Sequence, residues 1–305
     1  MRAKLATFAL ALGLAASQAG CIKAMLTEGQ IASTRKAAAG LDSVGDYEMV
    51  RAAVSAGLAQ FEGMHTLAPD NEDALFLLTK GWTSYGFGFV EDEREIAMLA
   101  GDDDGAEYHK KRARLAYDRA IFYGTELLGH HAAGFDAARK NEETIKSWTG
   151  AHFTDKGDAA DLFWLGYAWL ARVNVSKDDP SLIGELFVGV ALLERSFALD
   201  PEYNHRSAEV ALAAYHARTA MSEMDDAKKL FDDALAKTGG KTLVVQLNYA
   251  TRFACVKGDK ALYEKLIGEV LAAEDPDPAQ RLTNTVAKRR AKRALSKSVM
   301  DDCGF

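Results

Sequence analysis

Three short stretches of the sequence contain residue types that bind phosphate or metal ions. The first, GGKT at 239–242, is similar to the end of a phosphate-binding loop. The first glycine of that motif would fall at Leu235, inside a predicted helix, and no strand precedes it. A helix that ends at the glycines, before a new helix begins, explains this stretch better. We therefore predict no nucleotide site here.

The other two stretches do not satisfy the requirements of a metal site. If Gly105 is aligned with the turn glycine of a calcium loop, Ala100 and Lys111 fall where oxygen ligands are required. His130 and His131 are adjacent, so they point to different sides of a helix. No serine or histidine lies in an activating context. The sequence predicts no metal, no cofactor and no catalytic residue, and hence a protein that is not an enzyme.

Two stretches rich in aromatic residues are the best candidates for a binding site. One is GWTSYGFGF, whose three glycines each cost a helix about 1 kcal/mol relative to alanine. The other is FWLGYAW. Helical spacing places aromatic rings of each stretch on one face. These rings could line an apolar groove or channel in which the tyrosine hydroxyl and indole N–H groups bind a ligand. The alternative is that they form a plain packed core. The candidate residues are Trp82, Tyr85, Phe89, Trp164 and Tyr167.

The elements that position these residues are predicted to be helices. Nearly every segment has an apolar period of three to four, as in Ile121, Phe122 and Leu128 with Leu115, and almost none alternates with period two. Ala227, Phe231 and Ala234 have the offsets of a tetratricopeptide second helix. We predict an all-α fold of tetratricopeptide-like stacked helical hairpins in one compact domain. The acidic or glycine-rich segments 90–106 and 147–158 are predicted to be loops.

Composition and charge exclude several classes of protein. With 48% hydrophobic and 27% charged residues, the chain is not disordered, and its net charge of −7 disfavours a nucleic-acid partner. The basic residues between Lys288 and Arg293 are predicted to be the solvated side of a final amphipathic helix. Cys255 is expected to be a buried free thiol, the alternative being a disulfide with Cys303.

The N-terminus has the features of an export signal. Arg2 and Lys4 precede an apolar run too short to span a membrane, and two small residues precede Cys21. We predict a signal peptide over 1–20, a helical domain over 22–298 and a C-terminal tail over 299–305. Cys21 is expected to be acylated, which would hold the protein at a membrane. The alternative is ordinary cleavage that leaves Cys21 as a plain thiol.

Four motifs, taken in order, resemble those of one family. They are RARLAYDRA, DLFWLGYAW, LERSFALDPEY and RLTNTVA, which begin at Arg112, Asp161, Leu193 and Arg281. Together they resemble the TatT family, whose members are helical periplasmic lipoproteins associated with tripartite ATP-independent periplasmic (TRAP) transporters.

The resemblance implies a transport accessory protein. It implies a lipid-anchored protein on the periplasmic side of the envelope, which pairs with a periplasmic solute-binding protein and passes a small hydrophobic organic acid or lipid-like ligand through a pore. It also implies a homo-oligomer, with a trimer suggested, and no catalytic residues. The alternative that remains open is a tetratricopeptide-like scaffold lipoprotein for envelope assembly that binds no small ligand.

Overall fold

The computed structural model describes residues 25–218 and 223–305, and every regular element within these ranges is a helix. The predicted all-α class is therefore confirmed. The predicted signal peptide and Cys21 lie outside the described residues. None of the described helices combines the length and the apolar character needed to cross a membrane.

The helices follow one another with short connections. A first helix, α1, covers 25–38. It is followed by α2 (Tyr47–Leu67), α3 (Glu72–Tyr85), a first π-helix (Gly86–Val90), α4 (Glu91–Ala100), α5 (Asp103–His131), α6 (Phe135–Ala138), α7 (Glu142–His152), α8 (Ala159–Val175), α9 (Pro180–Ile183) and α10 (Leu186–Leu199). The second half contains α11 (Ser207–His216), α12 (Met224–Thr238), α13 (Leu243–Asn248), a second π-helix (Tyr249–Ala254), α14 (Cys255–Lys257), α15 (Lys260–Ala272), α16 (Arg281–Ala294) and α17 (Lys297–Asp302). Short 3₁₀ turns cover Ala39–Ser43, Lys156–Asp158, Tyr203–Arg206 and Pro278–Gln280.

The helices pack as a stack that closes on itself. Helix α3 packs on α2 and α5, α5 on α8, α8 on α10, α10 on α11, and α11 on α12. The last group consists of α13, the second π-helix, α15 and α16. Helix α16 also contacts α2 and the 3₁₀ turn that follows α1. The end of the chain therefore returns to its beginning.

A pair of glycines sets the closest helix crossing. A Cβ atom added to Gly166 of α8 would lie 3.0 Å from the carbonyl oxygen of Gly189 in α10. A Cβ atom added to Gly189 would lie 2.3 Å from Leu170 Cδ1. The two helices therefore approach backbone to backbone, which fixes the helix that carries Trp164 and Tyr167.

The segment 90–106, predicted to be a loop, is mostly helical, so that prediction was wrong. Helix α4 ends at Gly101, whose φ is 71°, and α5 begins after Asp102, whose side chain accepts a hydrogen bond from the Gly105 N–H at 2.9 Å. The acidic residues of α4 are not solvated as a loop would require, because arginines of α16 bind them. In the second predicted loop, 147–158, α7 continues to His152.

The predicted apolar stripe on α5 is only partly buried. Ile121 and Leu128 belong to the core, whereas Leu115 is 66% and Phe122 56% exposed. Helix α5 packs against α3, α4 and α8, and Leu115 and Phe122, seven residues apart, lie on the face away from them.

The expectation of a free thiol at Cys255 was also wrong. Cys255 and Cys303 form a disulfide with an S–S distance of 2.01 Å and a Cα–Cα distance of 4.9 Å. The predicted tail, 299–305, includes the last residues of α17 and folds back, so that the Phe305 ring lies 5.2 Å from the Tyr263 ring. This return brings the two cysteines together.

Candidate ligand-binding site

The site is built around the first π-helix, which joins α3 to α4 without a break. A π-helix has a wider turn than an α-helix and is often found at functional sites. A Cβ atom on Gly86 would lie 2.8 Å from the Tyr117 ring, so glycine is needed for α3 and α5 to touch here. The next residue, Phe87, packs edge-on against Tyr167 of α8, with 5.6 Å between ring centroids.

Five aromatic side chains form a continuous row through the fold. Tyr167 stacks on Phe163 at 5.7 Å, and Phe163 contacts Trp164 at 4.9 Å and Tyr203 at 5.6 Å. Phe163 and Trp164 are buried, and the other three are half-buried. We call this set the aromatic row; its members are Phe87, Phe163, Trp164, Tyr167 and Tyr203. The row offers accessible aromatic surface inside a helical protein, as a site for an apolar ligand requires.

One polar group of the row has no hydrogen-bond partner among the described residues. The Trp164 indole N–H donates to the Tyr203 hydroxyl at 2.9 Å, and burial raises the pKa of Tyr203 to about 12. The Tyr167 hydroxyl makes no hydrogen bond to any residue in the described part of the chain. Burial raises the pKa of Tyr167, and the negative charge of Glu91 raises it further. The Tyr167 hydroxyl therefore stays protonated. Tyr167 therefore keeps a free donor for a ligand.

Trp82, Tyr85 and Phe89 lie in a second aromatic group. Tyr85 is 6.0 Å from Trp82 and 6.3 Å from Phe89, ring centroid to ring centroid. Within residues 25–218 and 223–305, no ring contact connects this group to the aromatic row. The structure thus brings Trp164 and Tyr167 together. Trp82 packs against the same hydrophobic cluster as these two residues, but its ring contact is to Tyr85, and Tyr85 and Phe89 lie outside that cluster. Phe87, which the α-helical spacing did not single out, is the contribution of this stretch to the row.

The polar groups of the second aromatic group are used within the protein. The Trp82 indole N–H donates to Glu62 at 2.8 Å, and the Tyr85 hydroxyl accepts from Arg112 at 2.7 Å. Burial alone would raise the pKa of Glu62, but hydrogen bonds from Arg119, Tyr123 and Trp82 lower it. The Glu62 carboxylate, which accepts all of these hydrogen bonds, holds α2, α3 and α5 together. The polar groups that bind it are therefore not free to bind a ligand.

A buried ionic cluster lies at the Phe87 end of the row. Arg290 of α16 is 9% exposed, donates to the Phe87 carbonyl oxygen at 2.6 Å, and lies 4.0 Å from the Glu91 carboxylate. Glu91 also accepts a short hydrogen bond from the Tyr117 hydroxyl. Burial raises the pKa of Glu91, and Arg290 and Tyr117 act against that rise. The arginine thus fixes the π-helical turn that presents Phe87.

The arginines of α16 were predicted to be solvated, and for three of them this was wrong. Asp92 is fully buried and accepts hydrogen bonds from Arg289 at 2.9 Å, from Arg293 at 2.5 Å and from the Tyr47 hydroxyl at 2.9 Å. Burial alone would raise the pKa of Asp92, but the two arginines lower it. A matching pattern was present in the sequence: acids at 91, 92 and 95 and arginines at 289, 290 and 293 share the same helical spacing.

The turn that carries Tyr203 is strained. Asn204, His205 and Arg206 have φ values of 47°, 56° and 63°, which residues other than glycine rarely adopt. Arg206 is held by a 2.6 Å hydrogen bond to the buried Glu209. The ion pair therefore stabilises a backbone that places Tyr203 against Phe163 and Trp164.

The histidines considered as metal ligands lie at the C-terminal end of α5, each near a different carboxylate. His130 is 3.8 Å from Glu72, and His131 is 3.5 Å from Asp161. Burial raises the pKa of Asp161 to about 6. No group of three or more His, Cys, Asp or Glu residues is placed to hold a metal ion in the part of the chain that the structure describes.

Comparison with known proteins agrees with the resemblance found in the sequence. The model of one family, described as TAtT, TRAP transporter T-component, matches residues 44–301. This range includes the aromatic row, both π-helices and α16, and the match confirms the resemblance. No curated protein is similar enough to the chain to count as a match.

Proposed function

The chain belongs to the TRAP transporter T-component family, and from this membership we propose that it docks a solute-binding protein and holds or conducts a small apolar ligand. The family is a transport accessory family and not a family of enzymes. The energy for transport would come from a separate membrane permease. The match over 44–301 is the observation that carries this proposal.

The ligand-holding part of the proposal is supported by the aromatic row. Its half-buried rings, Phe87, Tyr167 and Tyr203, provide apolar surface that a ligand could cover at about 25 cal/mol per Å². The free Tyr167 hydroxyl supplies one oriented donor. Among the described residues we see no nucleophile activated by a base within hydrogen-bonding reach of the row, so the geometry supports holding a ligand better than converting it.

The location and assembly belong to the same proposal. A signal peptide over 1–20 and a lipid on Cys21 would tether the protein on the periplasmic side of a membrane. A homo-oligomer, with three copies as the family resemblance suggests, would present several ligand sites to its partners.

Crosslinking in the native envelope tests the docking part. The protein is expressed at its natural level with a C-terminal affinity tag, crosslinked in intact cells and purified under denaturing conditions. We expect a periplasmic solute-binding protein among the crosslinked partners. Recovery of cell-wall or outer-membrane assembly factors alone would support the scaffold alternative and contradict the proposal. A tagged, unrelated periplasmic lipoprotein serves as the control for abundance.

A further inference from the structure

The three most exposed large apolar side chains of the described residues belong to two helix ends. Met25 is 72% and Leu26 69% exposed in the first turn of α1, and Leu67, the last residue of α2, is 77% exposed. Single exposed apolar residues are common on soluble proteins, but a group of them at one place marks a surface that contacts something. The packing of α1 shows that these three residues do lie at one end of the fold.

Contacts between α1 and α3 fix the direction of α1. Arg35 donates to the Asp73 carboxylate at 2.6 Å, and its guanidinium lies 3.8 Å from the centre of the Phe76 ring. Further along the chain, Asp42 lies 3.9 Å from Lys80. The contacts advance along α3 as the chain advances, so α1 runs parallel to α3. Its first turn therefore points past the start of α3, toward the short turn that joins α2 to α3.

The buried residue of α1 gives the same direction. Ile31 is fully buried and clusters with Met64, near the end of α2. Met25 lies six residues before Ile31 and Leu67 three residues after Met64, about 9 Å and about 4.5 Å along their helices. Because α2 and α3 form a hairpin, α1 runs against α2, and both steps lead toward the same end of the fold. We call this end, with Met25, Leu26 and Leu67, the apolar end.

Other helices also begin or end near the apolar end. His130 lies 3.8 Å from Glu72, and His131 lies 3.5 Å from Asp161. The end of α5 and the starts of α3 and α8 are therefore together. Helix α5 has 29 residues and is about 43 Å long, so its start lies at the opposite end of the fold. The end of α4, with the exposed Met98, packs there against α5.

The proposed lipid anchor is close to the apolar end in the sequence. Cys21 precedes Met25 by four residues, and four residues of chain span at most about 14 Å. A lipid on Cys21 therefore holds the apolar end within about 14 Å of the bilayer surface. The opposite end of α5 is about 43 Å further away, so it cannot occupy the same position.

We propose that the apolar end is the membrane-facing surface of the protein, and that Met25, Leu26 and Leu67 enter the head-group region of the bilayer that holds the lipid on Cys21. This inference rests on the proposed function, because it requires the lipid anchor. The three side chains leave water when they enter the bilayer, which adds to the hold of the lipid.

This orientation also places the aromatic row relative to the membrane. Trp164 lies one turn after Asp161, at the start of α8, whereas Phe87 follows the end of α3. The Trp164 end of the row is therefore nearer the bilayer, and the Phe87 end is further from it.

Spin labels on the full lipidated protein test the inference. Leu67→Cys and Met98→Cys are each purified from the envelope, labelled with a nitroxide and placed in vesicles of phosphatidylethanolamine and phosphatidylglycerol. Cys255 and Cys303 are bonded to each other, so the label goes to the introduced cysteine. At position 67 the label is expected to be reached by oxygen, which dissolves in lipid, and protected from a water-soluble nickel chelate. At position 98, which is also apolar and exposed, the nickel chelate should reach the label freely.

Unlabelled variants provide a second readout. Leu67→Asp is expected to move between vesicles about tenfold faster than the wild type, because it replaces an apolar side chain in the bilayer by a charge. Met98→Asp is the matched control and should move at the rate of the wild type. Both positions are exposed, so the circular dichroism of the two variants should equal that of the wild type.

Equal access of the nickel chelate to the two labels, or equal transfer rates of the two aspartate variants, would overturn the inference. A label at position 67 that is shielded from both probes would also overturn it and would indicate that a second protein covers the apolar end. If the lipidated protein binds vesicles but position 67 stays in water, the proposed anchor stands and only the orientation is wrong. If the purified protein has no lipid and does not bind vesicles, the anchoring part of the proposed function is wrong, and the inference falls with it.

Discussion

Replacement of Asp92 by asparagine tests how the two ends of the helical stack are held together. The Asp92 carboxylate is fully buried, and it joins α4 to α16 through Arg289 and Arg293 and to α2 through Tyr47. Asparagine has nearly the same shape, but it removes the charge and turns one acceptor into a donor that faces a guanidinium. Removing one partner of a fully buried ion pair costs about 3–5 kcal/mol.

The exposure of the arginines reduces this cost. Arg289 is 34% and Arg293 17% exposed at the side chain, and Arg293 keeps a second carboxylate, Glu95, at 2.6 Å. We therefore expect Asp92→Asn to lower the free energy of unfolding by about 2–3 kcal/mol, measured by urea denaturation at pH 7. The control is Asp301→Asn, which breaks the exposed pair with Lys297 and should cost less than about 0.5 kcal/mol.

The pH dependence gives the same prediction an independent readout. The pKa of Asp92 is lowered in the folded state from an ordinary value of 3.8. Its contribution is therefore complete above that value and is lost as the pH falls through the lower folded pKa. The stability difference between wild type and Asp92→Asn should be constant from pH 5 to 7 and shrink below pH 4. A difference below 1 kcal/mol at pH 7, or one equal to that of the Asp301→Asn control, would refute the view that this cluster closes the stack.

Three further substitutions test other parts of the structure. Gly189→Ala should cost about 1–3 kcal/mol in urea denaturation because its Cβ would overlap Leu170, whereas Gly268→Ala, with nothing within 4 Å of the new Cβ, should be neutral or stabilising by up to about 1 kcal/mol. Cys303→Ser should lower the free energy of unfolding by about 2–4 kcal/mol, and dithiothreitol should destabilise the wild type but not this variant. Asp161→Asn should stabilise the protein by about 1–3 kcal/mol at pH 8 and by nearly nothing at pH 4. Burial raises the pKa of Asp161 from 3.8 to about 6, so the charged carboxylate disfavours folding as the pH rises through this range. The glycine contact would be contradicted if Gly189→Ala and Gly268→Ala changed the free energy of unfolding equally. The disulfide would be contradicted if dithiothreitol destabilised Cys303→Ser, and the burial of Asp161 if the effect of Asp161→Asn on stability did not depend on pH.

The helical class was predictable because it depends on local periodicity. Apolar residues three and four apart mark the buried faces of most helices. Ala227, Phe231 and Ala234, whose offsets predict a tetratricopeptide-like helix, are all fully buried. The loop prediction for 90–106 failed because acidic residues usually remain in water. Here their partners lie about 200 residues away on α16, and no local pattern reports such a contact.

The candidate site was only partly predictable for a similar reason. Trp164 and Tyr167 were identified from aromatic density, and they do lie together in the aromatic row. Phe87 was missed because α-helical spacing groups Trp82 with Tyr85 and Phe89, and the π-helix that turns Phe87 to the row has no strong sequence signal. Tyr203 reaches the site only through the packing of distant helices. Its role depends on tertiary structure, which spacing along one helix does not contain.

Native mass spectrometry of the protein purified from its own envelope tests most directly whether the aromatic row holds a ligand. The wild type is expected to carry a small apolar or amphipathic molecule that is released on unfolding. Tyr167→Ala should lose most of this bound mass, and Tyr85→Ala, in the second aromatic group, should retain it. A wild type that carries no bound molecule in any preparation, or equal loss in both variants, would contradict the account.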